Sequence, residues 1–199
     1  MHNYHDEYGR FPPPFVPNDA LPLERRLSWL VLLLPYVEEP RLYNAINLRL
    51  AWDSPENHTA ARTSVEVFLN PSAAPEREDS SGYPLTHIAG VSGWEDEPNG
   101  IFAGSTARTE IRDGSGMTLM IAQVRDRPGP WIAAGLATVR GMRPGLNRDS
   151  LTFGSHHTGG LQVGFADGTV RFISQNVAPA VLRALVTHAG GEPLDEDDF

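Results

Sequence analysis

The strongest constraint on the fold lies near the end of the chain. Leu161, Val163 and Phe165 alternate with Gln162 and Gly164, Asp167-Gly168 interrupts, and Val170 and Phe172 then alternate with Arg171. Apolar residues at period two mark half-buried strands, and an Asp-Gly pair between two such runs is the strongest short-range hairpin signal. The pattern predicts Asp167 and Gly168 as the two central residues of a tight turn. It places Leu161, Val163, Phe165, Val170 and Phe172 on a face available for burial, with at least one side of the ribbon covered.

The covering material has to come from upstream. Residues 1–9 read as the end of a helix whose earlier part is missing, stopped by Gly9 and then by Phe11-Pro12-Pro13-Pro14, which cannot continue a helix. Residues 11–24 are a proline-rich extended connector. The apolar run 29–34 stops at Pro35, so 26–36 is expected as a buried helix or helix–turn, with Trp29, Leu32, Leu33 and Tyr36 inside. Leu42, Tyr43, Ile46 and Leu50 fall near helical spacing and predict a short amphipathic helix over 38–48; 57–62 offers a further helical turn.

Strand signals follow. Residues 65–69 read as a strand closed by Asn70-Pro71-Ser72, then 73–84 as a loop, 85–93 as a strand and 93–99 as an acidic loop. A short element begins at Gly100. Asp113-Gly114-Ser115-Gly116 turns into a strand over 117–124, and Pro128-Gly129-Pro130 turns the chain again. Residues 131–150 show no clear element. After the hairpin, 178–188 reads as a helix ended by Gly190-Gly191, and 192–199 as an acidic, frayed tail. Helices followed by strands predict an α+β fold with an antiparallel sheet, and 199 residues without internal repeats fit a single domain over 1–199.

Charge and composition narrow the function. Sixteen basic residues, all arginine, face 25 acidic ones for a net charge of −9. Without a basic stripe to displace counterions from phosphates, nucleic acid is not an expected partner. The absence of cysteine excludes disulfides, thiolate metal sites and cysteine nucleophiles. No segment reaches the roughly 18–20 apolar residues of a membrane helix, and the first residues lack a signal peptide's basic and apolar regions. If Met1 is the genuine start, the expected location is the cytoplasm.

The richest polar cluster is Ser155-His156-His157 with Asp167. An imidazole and a carboxylate can share a proton or a divalent ion, which makes His157 and Asp167 candidate metal or acid–base residues. The alternative is structural: Asp167 holds the turn, Gly168 supplies its conformation, and His157 bonds a backbone group. That alternative accounts for the pattern through turn chemistry alone, and no third ligand stands at a suitable spacing, so no metal, catalytic or cofactor-binding residue is assigned. His2, His5 and Asp6 could share a helix face, but a surface helix end explains them. Ser155, His157 and Asp167 form a triad only on paper, since no nucleophile elbow or oxyanion motif accompanies them. Glu95-Asp96-Glu97 and the acids at 195–198 lack the alternating spacing of a calcium loop. Trp29, Trp52, Trp94 and Trp131 could stack on sugars, but scattered tryptophans are more often core anchors.

His157, nine further residues and Asp167-Gly168, followed by Thr169-Val170-Arg171-Phe172-Ile173-Ser174, match an H-x9-DG signature. The chain thereby resembles a prepilin-type family of unknown function, expanded in planctomycetes. Other segments agree in order. They include His2-Asn3-Tyr4-His5-Asp6 with Gly9 and Phe11-Pro12-Pro13, Ser28-Trp29 with Leu32 through Tyr36, Trp52-Asp53-Ser54-Pro55, and Phe68-Leu69 with Pro71-Ser72. The resemblance implies a pilin-like sheet packed on the remnant of an amino-terminal anchor helix that is largely missing here. It implies an exported or cell-surface structural role, protein partners or self-assembly, and no established catalysis. Family members often carry a cysteine where Asn70 stands and an acid where Gln123 stands. A ligand-binding module for sugar or calcium, using acidic loops and exposed aromatics, is the alternative.

Overall fold

The computed structural model describes residues 1–73, 76–148, 151–195 and 199. Parts of the 73–84 loop and the 131–150 segment, and residues 196–198 of the acidic tail, therefore lie outside the described residues. The chain opens with helix α1 (His2–Tyr8), capped by Gly9 in the left-handed conformation at φ 72°. Helix α2 (Trp29–Leu33) tightens into a 3-10 turn over Leu34–Tyr36, where Pro35 has no N–H to continue the α ladder. Helices α3 (Pro40–Ala45) and α4 (His58–Ala61) follow, the former shorter than the expected 38–48. Trp29 and Leu33 are buried as expected, while Leu32 and Tyr36 are half-buried.

The expected strand at 65–69 is a 3-10 turn over Glu66–Phe68. Its buried side chains, Val65 and Phe68, stand three residues apart rather than two. Its backbone closes locally, with Phe68 and Leu69 N–H donating to Val65 and Glu66 carbonyls. Spacing of three suits a helical turn, not a pleat.

Strands β1 (Leu85–Thr86), β2 (Ile88–Trp94), β3 (Leu119–Gln123), β4 (Gly129–Pro130), β5 (Val139–Met142), β6 (Gly160–Phe165) and β7 (Val170–Ser174) complete an α+β architecture with helix α5 (Pro179–Val186). β1 and β4 form a small antiparallel pair, so Gly129–Pro130 is a strand rather than the expected turn. The main sheet has the order β5-β2-β3-β6-β7 and is mixed: β5 runs parallel to β2, and the other pairs are antiparallel. Residues of β2 and β3 divide between two clusters. Ala89, Val91, Leu119 and Ala122 pack with Leu161, Phe165 and the α5 residues Leu182 and Leu185. Met120 and Ile121 belong with Trp29, Leu30, Phe102 and Trp131. Gly90 lets Phe102 lie against the sheet, since a Cβ there would stand 2.5 Å from the ring. Among the described residues no helix is long and apolar enough to cross a membrane.

The hairpin forms with a different register from the one its sequence predicts. Gly168 N–H donates to the Phe165 carbonyl, which makes Ala166 and Asp167 the central residues, and Phe165 N–H donates to Thr169. Gly168 follows at φ 93°, as the left-handed residue of a three-residue loop. The additional loop residue slips the pairing by one, and a one-residue slip moves every side chain of a strand to the opposite face. Leu161 therefore faces Ile173, and Val163 faces Arg171. Leu161, Val163, Phe165 and Ile173 are buried, whereas Val170 and Phe172 are 68% and 47% exposed.

Candidate functional site

The two ends of the motif occupy opposite ends of β6. Six residues of strand at the usual rise separate them by about 20 Å, so His157 and Asp167 are not brought together.

At the Asp167 end the hairpin tip is clamped. Ala166 N–H donates to the Thr118 carbonyl at 2.9 Å and Asp167 N–H to Ser115 at 3.0 Å. Helix α1 closes the other side: His2 Nε2 lies 3.0 Å from the Ala166 carbonyl. Asp167 Oδ1 accepts from both the Thr169 N–H (2.8 Å) and the Thr169 hydroxyl (2.7 Å). Partial burial pushes its carboxyl pKa up, but these bonds and the Arg171 charge outweigh that and hold it below the usual range. Gly116 sits beneath this carboxylate, where a Cβ would come within 3.2 Å of Oδ2.

The His157 end is organised by Asn147, which sequence reasoning missed. Its φ of 62° is left-handed, a conformation asparagine tolerates better than most residues. Asn147 Oδ1 accepts from Ser155 N–H at 2.6 Å, and Nδ2 donates to the Gly160 and His157 carbonyls at 2.9 and 3.3 Å. Buried Ser155 donates its hydroxyl to the Gly160 carbonyl at 2.7 Å and accepts from the His157 N–H at 3.0 Å. Serine and histidine thus meet through backbone, and both imidazoles at 156 and 157 face solvent. A polar cleft of about 380 Å³ opens here, lined by Arg125, Asn147, Ser155, His156, His157 and Gln175 among others. Arg125 is held by Asp126 and by the Asn147 carbonyl. The cleft offers a guanidinium and hydrogen-bond donors but lacks the imidazole–carboxylate pair of acid–base chemistry.

The remaining candidates are engaged elsewhere. His5 Nε2 accepts from Arg108 N–H, and its Nδ1 stands 3.8 Å from Asp6. Glu95 pairs with Arg143, and Glu97 with Arg183. Trp29 and Trp131 are fully buried, Trp52 packs edge-on against Tyr83, and Trp94 lies under Arg183. Gln123 Oε1 bridges β3 to β6 by accepting from Gln162 N–H at 2.9 Å. Asn70 gives its N–H to Nδ1 of buried His87. Arg140, 3% exposed, donates to three carbonyls, those of Leu136, Thr152 and Arg127, and burial lowers its pKa to about 10. Among the described residues, no three His, Asp or Glu side chains converge to hold a metal ion.

No curated protein and no solved structure matches this chain. A family model matches residues 1–131 and 122–180, and the chain belongs to that family, described as protein of unknown function (DUF1559).

Proposed function

We propose that this chain is a non-enzymatic, pilin-like domain acting by assembly or binding at the cell envelope. The observation that carries the reading is where the motif's polar atoms go. Ser155 and Asn147 address their side chains to backbone groups, and Asp167 to its neighbour Thr169. Those residues build two well-tied ends of one hairpin. The hairpin also leaves two large apolar side chains exposed beside its polar ones: Val170 and Phe172 on the outermost strand. A scaffold with tied loops and an apolar edge suits contact between macromolecules better than turnover of a small substrate. The pilin-like assignment draws support from α1, which docks on the hairpin tip through His2 while Met1 and Tyr4 pack on the adjoining cluster. Envelope location and absence of catalysis are part of the same proposal.

Fractionation of the producing cells, combined with protease treatment of intact cells, tests it. Recovery in the envelope fraction with protease access from outside is the expected result. Confinement to the cytosol overturns the reading.

A further inference from the structure

Strand β7 ends the main sheet, and its outer edge carries unused backbone groups. Phe165 N–H donates to Thr169 and Gln175 N–H to Gly159, which fixes the alternation along the hairpin. Thr169, Arg171, Ile173 and Gln175 direct their backbone groups at β6; Val170, Phe172 and Ser174 direct theirs outward. The Ser174 carbonyl accepts from Val177 N–H. Among the described residues, the N–H and C=O of Val170 and Phe172 have no partner. Natural edges are blunted by proline, by lysine or by inward-pointing charge. Val170–Ser174 has neither proline nor lysine, and its one charge, Arg171, lies on the other face over the Phe165 and Phe199 rings. On the open face, Val170 borders a shallow apolar groove with Ile88, Ile121 and Gly164.

Charge favours a second copy as the occupant. Although the chain carries −9, the strand itself, Val170–Ser174, contains no Asp or Glu, and its one charge is Arg171. The facing strands of two copies therefore bring no pair of carboxylates together. The strand is also self-complementary in register. A two-fold axis through Phe172 sets Val170 across from Ser174 of the second copy, and Arg171 across from Ile173. An axis through Arg171 would instead oppose two arginines, a destabilising cross-strand pair.

We propose that β7 is a self-association edge, on which a second copy of this chain adds its own β7 antiparallel about an axis at Phe172, joining the two five-stranded sheets. This deepens the assembly reading by naming its surface and partner, and it does not depend on where the protein resides. Five paired residues and two apolar side chains make a small interface, so the dimer is concentration-dependent.

Sedimentation equilibrium of the full chain up to about 1 mM should show a mass rising toward twice the 21.8-kDa chain. Val170→Lys, at a 68%-exposed position, should hold the mass at one chain without loss of thermal stability. Because the protein has no cysteine, Phe172→Cys reports the axis directly: under oxidation it should form disulfide dimers at least tenfold faster than Val67→Cys, a control at a 59%-exposed position. A single-chain mass throughout the series, a dimer that survives Val170→Lys, or equal cross-linking of the two cysteine variants each overturns the proposal. A monomer found at the cell surface overturns self-pairing alone, and a β7 dimer confined to the cytosol overturns the envelope reading alone.

Discussion

The ring of Phe172 lies across the backbone of Gly160, on the diagonal between β7 and β6. A Cβ at Gly160 would stand 2.7 Å from the ring and 2.1 Å from the Ile173 carbonyl oxygen. The second contact is with backbone, which cannot swing aside. Gly160→Ala should therefore destabilise the protein by about 1–3 kcal/mol, the range for forced overpacking, in urea denaturation. Phe172→Ala removes a ring that is half in water and should cost less. The opposite ordering would mean that the ring, not the close backbone approach, fixes this end of the hairpin.

At the other end of the hairpin, Gly168→Val and Asp167→Asn separate turn geometry from charge. Gly168 has φ 93° and a Cβ there would also meet His2 at 3.4 Å, so valine should cost more than about 1 kcal/mol. Asparagine keeps an oxygen acceptor for Thr169 and should be mild at neutral pH. The folded-state pKa of Asp167 lies below its usual value. Its contribution is therefore present above the unfolded-state pKa and lost as pH falls through the folded one. The stability difference between wild type and Asp167→Asn should shrink on acidification below about pH 4. A difference that stays constant down to low pH overturns the stated role of the Thr169 bonds.

Much of this arrangement is legible in the sequence where a local rule operates, and illegible where distant backbone decides. The Trp29 run, the Gly9 stop and the two alternating strands around Asp167-Gly168 announce themselves through spacing. The register does not, because Asp-Gly suits a two-residue turn or the last two positions of a three-residue loop. Thr118, Ser115 and His2 hold the longer loop, and all lie at least 48 residues from it in sequence. β5 is hidden for the same reason: Val139-Arg140-Gly141-Met142 is short, its partner is the remote β2, and its arginine is buried against carbonyls. At the candidate site, residue type pointed to His157 and Asp167. The organising Asn147 sits in a segment without periodicity, and the left-handed backbone that sets it apart is a property of the fold that the local sequence does not announce.

The apolar run of α2 is the keystone of the first cluster. Leu33 is 6% exposed within it, and Trp29 packs 4.6 Å from Phe102, which in turn rests on Gly90 of β2. Leu33→Ala should cost about 2–5 kcal/mol in chemical denaturation, the loss of transferred surface plus an unfilled cavity. A change under about 0.5 kcal/mol, the scale of surface substitutions, would remove this segment from the core.

His87 makes stability depend on pH near neutrality. It is 1% exposed, its backbone N–H donates to Phe68, and its Nδ1 accepts the Asn70 N–H at 3.1 Å. Protonation would remove that acceptor and place a charge in the interior. Burial is the main cause of its lowered pKa; His156 and Arg77 add repulsion, and Glu76 partly opposes them. The unfolded chain therefore binds the proton first, near the ordinary value of 6.5. Between that value and the lower folded pKa, stability falls as pH falls; above 6.5 the contribution is complete. Urea midpoints from about pH 8 down to about pH 5 should be level at first and then decline. His87→Gln, which cannot titrate, should start lower and flatten the part of the decline due to this group. A slope unchanged in His87→Gln would assign the acid sensitivity to other groups and overturn the role given to this imidazole.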